Sequence, residues 1–306
     1  MAASTPSKGK APVYPPLIIH PTLPHKQTFI VLHGRGSNAL KFAPPLLAIE
    51  FPDGQTLQTA LPHAKFIFPT ATARKATIFK KKVINQWFDY WSLDNPTERE
   101  ELQIQGLRET SAYIHDLLEK EIALVGAKNV VLGGLSQGCA ASLISLLTWQ
   151  GEPLAAAFGM CGWIPFRKRM SDIVSPETLG NNGDNDDPDP FARDPKDEAE
   201  ELTPAAQAVA YLRKELEMDL TSSTSMVFQQ IPLFLGHGVE DEQVPFSQGK
   251  DARDLLKCIW VDVTWKEYEG LAHWYSSAML GHLVDWLREK TDWHSWEEPE
   301  EESTGQ

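Results

Sequence analysis

Ser136 stands at the centre of Gly134-Leu135-Ser136-Gln137-Gly138, a G-x-S-x-G run. A serine hydroxyl is a weak nucleophile until a base takes its proton and a carboxylate orients that base. The branched residues Asn129-Val130-Val131-Leu132 precede the run and read as a strand. The apolar stretch from Ala140 to Leu147 follows it and reads as a helix. Strand, tight glycine turn and helix form the context in which a serine is lifted out of the chain on a strained elbow. Side chains at Gly134 or Gly138 would collide with the neighbouring strand or helix. The helix start also turns unpaired N–H groups toward developing negative charge. The bland alternative is that Ser136 merely caps the helix.

A base and an acid are needed downstream, in the order serine, acid, histidine. The later histidines are His237, His273, His282 and His294. His273 lies in the loop Tyr268-Glu269-Gly270-Leu271-Ala272-His273-Trp274, between a strand and the last helix, and is the best base. His282 falls inside that helix and His294 in the acidic tail, where structural or solvated roles fit. His237 closes a strand and leads into Gly238-Val239-Glu240-Asp241. Asp241 is the orienting acid of choice, with Glu240 the weaker candidate.

An oxyanion hole needs two backbone N–H groups. One belongs to Gln137, the residue after the nucleophile. The other is expected from the early loop Leu32-His33-Gly34-Arg35-Gly36-Ser37, with the Arg35 N–H as donor. His33, at the strand end ahead of the serine, is read as a brace for that loop.

Positioning these groups takes several buried strands. Apolar runs at 28–32, 65–68, 129–132, 155–160, 231–235 and 260–265 read as parallel strands. Helices are expected at 96–125, capped by Asn95, and at 137–149, 204–215, 247–257 and 275–289. Gly106, inside the longest helix, signals close packing or a break. This alternation predicts an α/β fold with a mostly parallel central sheet and helices on both faces. We expect one such domain over residues 15–290, interrupted by a flexible acidic insertion at 172–201 and followed by an acidic tail at 291–306.

The insertion at 172–201 carries −9 and residues 297–306 carry −5, which together account for the whole formal charge of −14. The alternating Asp and Asn of the insertion lack the residue order of a calcium loop. An acidic chain is not expected to bind nucleic acid over a broad face. Cys139, Cys161 and Cys258 form no disulfide framework and no metal-ligand spacing, so no metal is expected on them. Cys139, directly after the elbow, reads as a small buried packing residue. The run from Cys139 to Trp149 is too short to span a membrane, and residues 1–16 lack the apolar core of a secretory signal. A cytoplasmic address is expected, with the nucleus as a second compartment. Phe79, Trp91, Trp163, Phe166 and Trp274 are candidate walls of an apolar pocket. Arg74, Lys75, Lys80, Lys81 and Lys82 form a local basic run, read as a solvated loop or as an attractor of anionic headgroups, an acidic protein surface or the chain's own insertion.

With those residues placed, the chain resembles the phospholipase/carboxylesterase family of α/β-hydrolases, and within it the acyl-protein thioesterases. The resemblance runs from Leu32-His33-Gly34-x-Gly36 through Gln86-Trp87-Phe88-Asp89, the elbow, and Cys161-Gly162-Trp163-Ile164-Pro165. It continues through His237-Gly238-x-x-Asp241-x-x-Val244-Pro245 to Gly270-x-x-His273. It implies a cofactor-free serine hydrolase with Ser136 as nucleophile, Asp241 as acid, His273 as base, and Arg35 and Gln137 as oxyanion donors. The implied substrates are carboxylic esters or thioesters, including S-acylated proteins and lysophospholipids. Trp87-Phe88-Asp89 is then architectural. The chain departs from the family pattern at Ser37-Asn38, at Ala272 and in its acidic insertion. A lysophospholipase or small-ester carboxylesterase is the nearest rival reading, and a retired hydrolase used as a binding scaffold is the non-enzymatic one.

Overall fold

The computed structural model describes residues 14–95, 97–175, 202–218, 226–259 and 262–293. The strands are β1 (Leu17–Ile19), β2 (Gln27–Leu32), β3 (Ala64–Phe68), β4 (Ala73–Ala76), β5 (Lys82–Asn85), β6 (Val130–Leu135), β7 (Ala156–Met160), β8 (Leu233–Gly238) and β9 (Val263–Tyr268). The main sheet runs β1-β3-β2-β6-β7-β8-β9. All its neighbours pair in parallel except β1, which lies antiparallel on β3 at the edge. The strands β4 and β5 form a separate antiparallel hairpin.

Alternation along β2 shows how the sheet is covered on both faces. Phe29 and Val31 enter one apolar cluster, whereas Ile30 and Leu32 enter the other. The first face packs α1 (Ala39–Leu47), α2 (Leu57–Ala60) and α8 (Ser277–Lys290). The second packs α3 (Glu101–Val125), α4 (Gln137–Leu147), α5 (Arg167–Val174), α6 (Pro204–Glu215) and α7 (Phe246–Ile259). This is the doubly covered α/β sheet that the apolar runs predict.

The longest helix starts later than expected. Asn95 does not cap it: the Asn95 carbonyl accepts from the Glu98 N–H at 3.1 Å, and its side chain accepts from the Thr97 hydroxyl. Arg99 then sits at φ 57, a left-handed turn that a helix cannot continue through, so α3 begins at Glu101. Pro96 lies outside the described residues. Gly106 interrupts nothing: a Cβ there would come within 2.5 Å of the Phe88 Cα, so close packing is the reason for the glycine.

The acidic insertion lies outside the described residues from 176 to 201, while its expected first residues complete α5. Of the expected tail, Trp293 packs edge-on against Phe29 and its indole N–H donates to Asn129. The remainder, from residue 294, is outside the described residues, His294 included.

Candidate active site

Each piece of the site leaves the C-terminal end of a parallel strand. Leu32 pairs with Gly134, Leu135 with Met160, Met160 with Gly236 and Gly238 with Tyr268, so the ends of β2, β6, β7, β8 and β9 form one edge. Open parallel sheets present their ligands there.

Ser136 follows β6 directly and holds φ 58, ψ −122, a backbone conformation that non-glycine residues avoid. The turn is close-packed: a Cβ on Gly138 would meet the Leu32 carbonyl oxygen at 2.3 Å, and one on Gly134 would meet the Gly138 carbonyl carbon at 2.6 Å. Ser136 precedes α4 in the cap position, yet its side chain caps nothing. The hydroxyl instead lies 2.8 Å from His273 Nε2. That separates the two readings of the elbow in favour of a paired serine.

His273 Nδ1 lies 2.7 Å from Asp241 Oδ2. The carboxylate accepts there, so the ring proton belongs on Nδ1 and the Nε2 lone pair faces the serine hydroxyl. The other oxygen, Asp241 Oδ1, accepts from the backbone N–H groups of Gln243 at 3.0 Å and Val244 at 2.9 Å. Burial by itself pushes the Asp241 carboxyl up. Hydrogen bonds from His237, His273 and the Val244 N–H outweigh it and hold the group well below the usual carboxylate range. Glu240, the weaker candidate, is exposed, and its N–H donates to the Leu271 carbonyl. His282 is exposed on α8, with Nδ1 3.2 Å from the Tyr268 hydroxyl, far from any proton-transfer role.

His237 and Cys161 also reach this network. The buried His237 turns Nε2 toward both Asp241 Oδ2, at 3.2 Å, and the Val244 carbonyl, at 3.1 Å. Two acceptors fix the proton on Nε2, so His237 donates to the same carboxylate oxygen as His273. Cys161 Sγ donates to the Trp274 carbonyl at 3.2 Å and thereby ties the end of β7 to the base loop. Cys161, Asp241 and His273 offer ligand atoms within 4.8 Å of one another. Burial pushes the Cys161 thiol up to about 12, so it stands there as a neutral donor.

The Arg35 and Gln137 N–H groups donate to no acceptor among the described residues. The Gln137 side chain explains how this region is held. Its Oε1 accepts from the Trp87 N–H at 3.0 Å, and its Nε2 donates to the Phe88 carbonyl at 2.7 Å. The Trp87 indole donates to the His33 carbonyl at 2.7 Å. Trp87 and Phe88 thus clasp the elbow to the early loop, the architectural part expected of them. Asp89 accepts from the Thr77 N–H and hydroxyl and holds the turn before β5. Gly36 takes φ 78 to reverse the early loop, and its N–H donates to Asn85.

His33 braces this loop. Its Nε2 accepts from the Ala71 N–H at 3.0 Å, so Nδ1 carries the proton and donates to the Gly34 carbonyl at 2.7 Å. Burial pushes its pKa down to about 4, with the Gly34 bond opposing, and the ring is neutral at physiological pH. Cys139 packs its sulfur against Gly159 and Gly162, and burial raises its thiol far above the ordinary range.

A cleft of about 480 Å³ opens over Ser136 and His273. Its walls include Phe42, Phe79, Ile84, Tyr90, Leu135, Val244 and Trp274, together with Arg35 and Lys82. Of the expected wall residues, Phe79 and Trp274 line it, whereas Trp91, Trp163 and Phe166 do not. Trp163 is used elsewhere, packed edge-on against Phe88 and Tyr90. The basic run proves to be the β4–β5 hairpin at the rim of the cleft. Arg74 pairs with Glu109 there, and Lys82 faces the opening.

The family profile described as Phospholipase/Carboxylesterase matches residues 15–178 and 210–291. Acyl-protein thioesterase 1 of Yarrowia lipolytica is 26% identical over 91% of this chain and 98% of its own length. Carboxylesterase SOBER1 of Arabidopsis thaliana is 24% identical over 86% of this chain and 91% of its own. Among solved structures, acyl-protein thioesterase 2 of Zea mays superposes with a TM-score of 0.62 at 23% identity, covering 90% of this chain and 99% of that one. That likeness establishes the shared α/β-hydrolase fold.

Proposed function

The chain belongs to the phospholipase/carboxylesterase family, and from that premise we propose that it hydrolyses carboxylic esters or thioesters through an acyl-Ser136 intermediate, with S-acylated proteins as its leading substrate class. The observation that carries this reading is the continuous chain of hydrogen bonds from the Ser136 hydroxyl through His273 to Asp241. His273 Nε2 takes the hydroxyl proton as Oγ bonds to the acyl carbon, and the carbonyl π pair moves to oxygen. The Arg35 and Gln137 N–H groups hold that oxyanion, a contribution of about 3 kcal/mol for one such donor. Collapse breaks the bond to sulfur or oxygen, and the leaving group takes the proton from His273. Water then repeats the attack on acyl-Ser136, and the acid leaves. Asp241 keeps the ring in the productive tautomer throughout.

The full-length match to relatives named acyl-protein thioesterase favours thioesters. The relative named a carboxylesterase favours simple oxyesters as the second reading, with lysophospholipids as the lipid counterpart. No described helix is long and apolar enough to cross a membrane, and the cytoplasmic address, with the nucleus as a second compartment, stays part of this proposal. We assign residues 15–290 to one hydrolase unit. The test is covalent labelling of folded protein with a fluorophosphonate probe, with the labelled peptide located by mass. We expect the phosphonyl group on Ser136 and none in Ser136→Ala. Label at another residue, or equal label in the Ser136→Ala variant, would overturn the assignment.

A further inference from the structure

We propose that the Arg35 side chain forms an anion subsite inside the catalytic cleft, so that the preferred ester or thioester carries a carboxylate or phosphate group beside its scissile bond. This rests on the serine-hydrolase reading and sharpens it to a substrate class.

The observation is a cation without an acid. Arg35 lies between two rings, its guanidinium carbon 4.2 Å from the Tyr90 centroid and 4.8 Å from that of Phe79. Both rings, like Arg35 itself, line the cleft that holds Ser136 and His273. Among the described residues no carboxylate lies in salt-bridge range of it, and its buried Nη1 has no hydrogen-bond partner. The acid whose charge is felt at Arg35, Asp89, is committed to the Thr77 N–H and hydroxyl. Lys82 adds a second positive group to the same cleft from β5. Among the described residues no acidic side chain lines the cleft to balance the two.

Stacking on two rings fixes the plane of a guanidinium and leaves its edge for a ligand. A planar fork held this way matches the paired oxygens of a carboxylate or phosphate. A cleft meant only for a neutral acyl chain gains nothing from a desolvated cation on its wall, because desolvation without a partner is unfavourable. Arg35 is next to Gly34, whose backbone approaches the nucleophile so closely that a Cβ there would sit 3.5 Å from Ser136 Cβ. The residue therefore starts beside the nucleophile, and its guanidinium is held over Tyr90 and Phe79 on the wall of the same cleft.

The test uses two matched thioester pairs. In one, the leaving thiol is 3-mercaptopropionate or its neutral amide, each S-octanoylated. In the other, the acyl chain ends in a carboxylate or in a methyl group of equal length. Thiol release gives kcat/KM for each. We expect one anionic member to be preferred over its neutral partner by about tenfold or more, as a charge-assisted hydrogen bond provides. Which pair shows it reveals the half of the substrate that carries the charge. The preference should fall to within about twofold in Arg35→Met, stay partly in Arg35→Lys, and weaken with added salt. Each ratio is internal to one protein, so a general loss from disturbing the oxyanion loop cancels. Lys82→Gln, on the rim, should reduce the preference several-fold and supplies a second variant should Arg35→Met fail to fold. Equal rates for charged and neutral members in the wild-type protein, or a preference that survives Arg35→Met, would overturn the subsite. Failure to hydrolyse any member, together with no label on Ser136, would instead overturn the hydrolase reading beneath it.

Discussion

Replacing Asp241 by Asn keeps the shape of the acid and removes two of its four acceptor contacts in a predictable place, both of them at Oδ2. Oδ1 faces two backbone donors, Gln243 N–H at 3.0 Å and Val244 N–H at 2.9 Å. An amide NH₂ cannot sit against them, so the Asn oxygen must take that side. The NH₂ then occupies the place of Oδ2, 2.7 Å from His273 Nδ1 and 3.2 Å from His237 Nε2. It donates to His273 Nδ1 and drives the ring proton to Nε2, which faces the Ser136 hydroxyl at 2.8 Å. A protonated Nε2 cannot take the serine proton. The expected loss in kcat is about 10⁴-fold, or about 5 kcal/mol of barrier. The fold should lose less, about 1–3 kcal/mol, because His237 loses a charged acceptor but keeps the Val244 carbonyl. The assay is kcat on a chromogenic ester beside a urea unfolding curve for the same preparation. A folded Asp241→Asn protein with kcat within tenfold of the wild type would refute the claim that this carboxylate sets the tautomer of His273.

Gly138→Ala should be worse for activity than for folding. Its Cβ meets backbone atoms of β2 at 2.3 Å, and a forced shift on the order of 1 Å at the elbow costs about 10²-fold in rate, read as a drop in kcat with a shifted melting temperature. Gln137→Leu leaves the buried Trp87 N–H and Phe88 carbonyl without partners, so unfolding should become easier by about 2 kcal/mol or more, measured by denaturant titration. His33 predicts acid sensitivity. Its folded pKa of about 4 lies below the ordinary value of 6.5, so the unfolded chain binds the extra proton. The stability it contributes is complete above pH 6.5 and is lost as pH falls toward 4, by about 2–3 kcal/mol between pH 7 and 4.5. His33→Gln should flatten that part of the stability curve; parallel curves for the two proteins would count against the assignment.

The sheet was legible because its strands are apolar on both faces, as at Val130-Val131-Leu132 and Thr28 to Leu32. Its ends were less so. The apolar run covers only 231–235, with His237 read as closing the strand, and β8 continues one residue further to Gly238. Likewise β9 extends to Tyr268, three residues past the expected end. The cause is functional: strand ends that enter a polar site carry Gly, His and Glu, which erase the apolar pattern while the ladder continues. Short elements escaped for other reasons. Two prolines, Pro44 and Pro45, hide α1, whose start is set by Asn38 accepting from the Lys41 N–H. The β4–β5 hairpin reads as charge rather than strand because Arg74, Lys75 and Lys82 are in it.

The site divides along the same physical line. The hydrogen-bonded set Ser136, His273 and Asp241 could be picked out in sequence because the nucleophile, acid and base roles proposed for it follow a fixed chain order. The contribution of His237 to Asp241 could not, since a histidine one turn before an acid gives no sign of sharing its oxygen. Arg35 shows the sharper case. Its expected part in the reaction is played by a backbone N–H, which any residue but proline supplies, so the chemistry places no demand on the side chain. A position of that kind can change its side chain without changing the reaction, and here the group it carries lines the cleft over Ser136 and His273. Here that group is a guanidinium stacked between Tyr90 and Phe79 and lacking an acid among the described residues. Neighbouring hydrolases can therefore share the elbow, acid and base while differing in what they cleave, and the difference is to be sought first at oxyanion-loop side chains rather than in the triad.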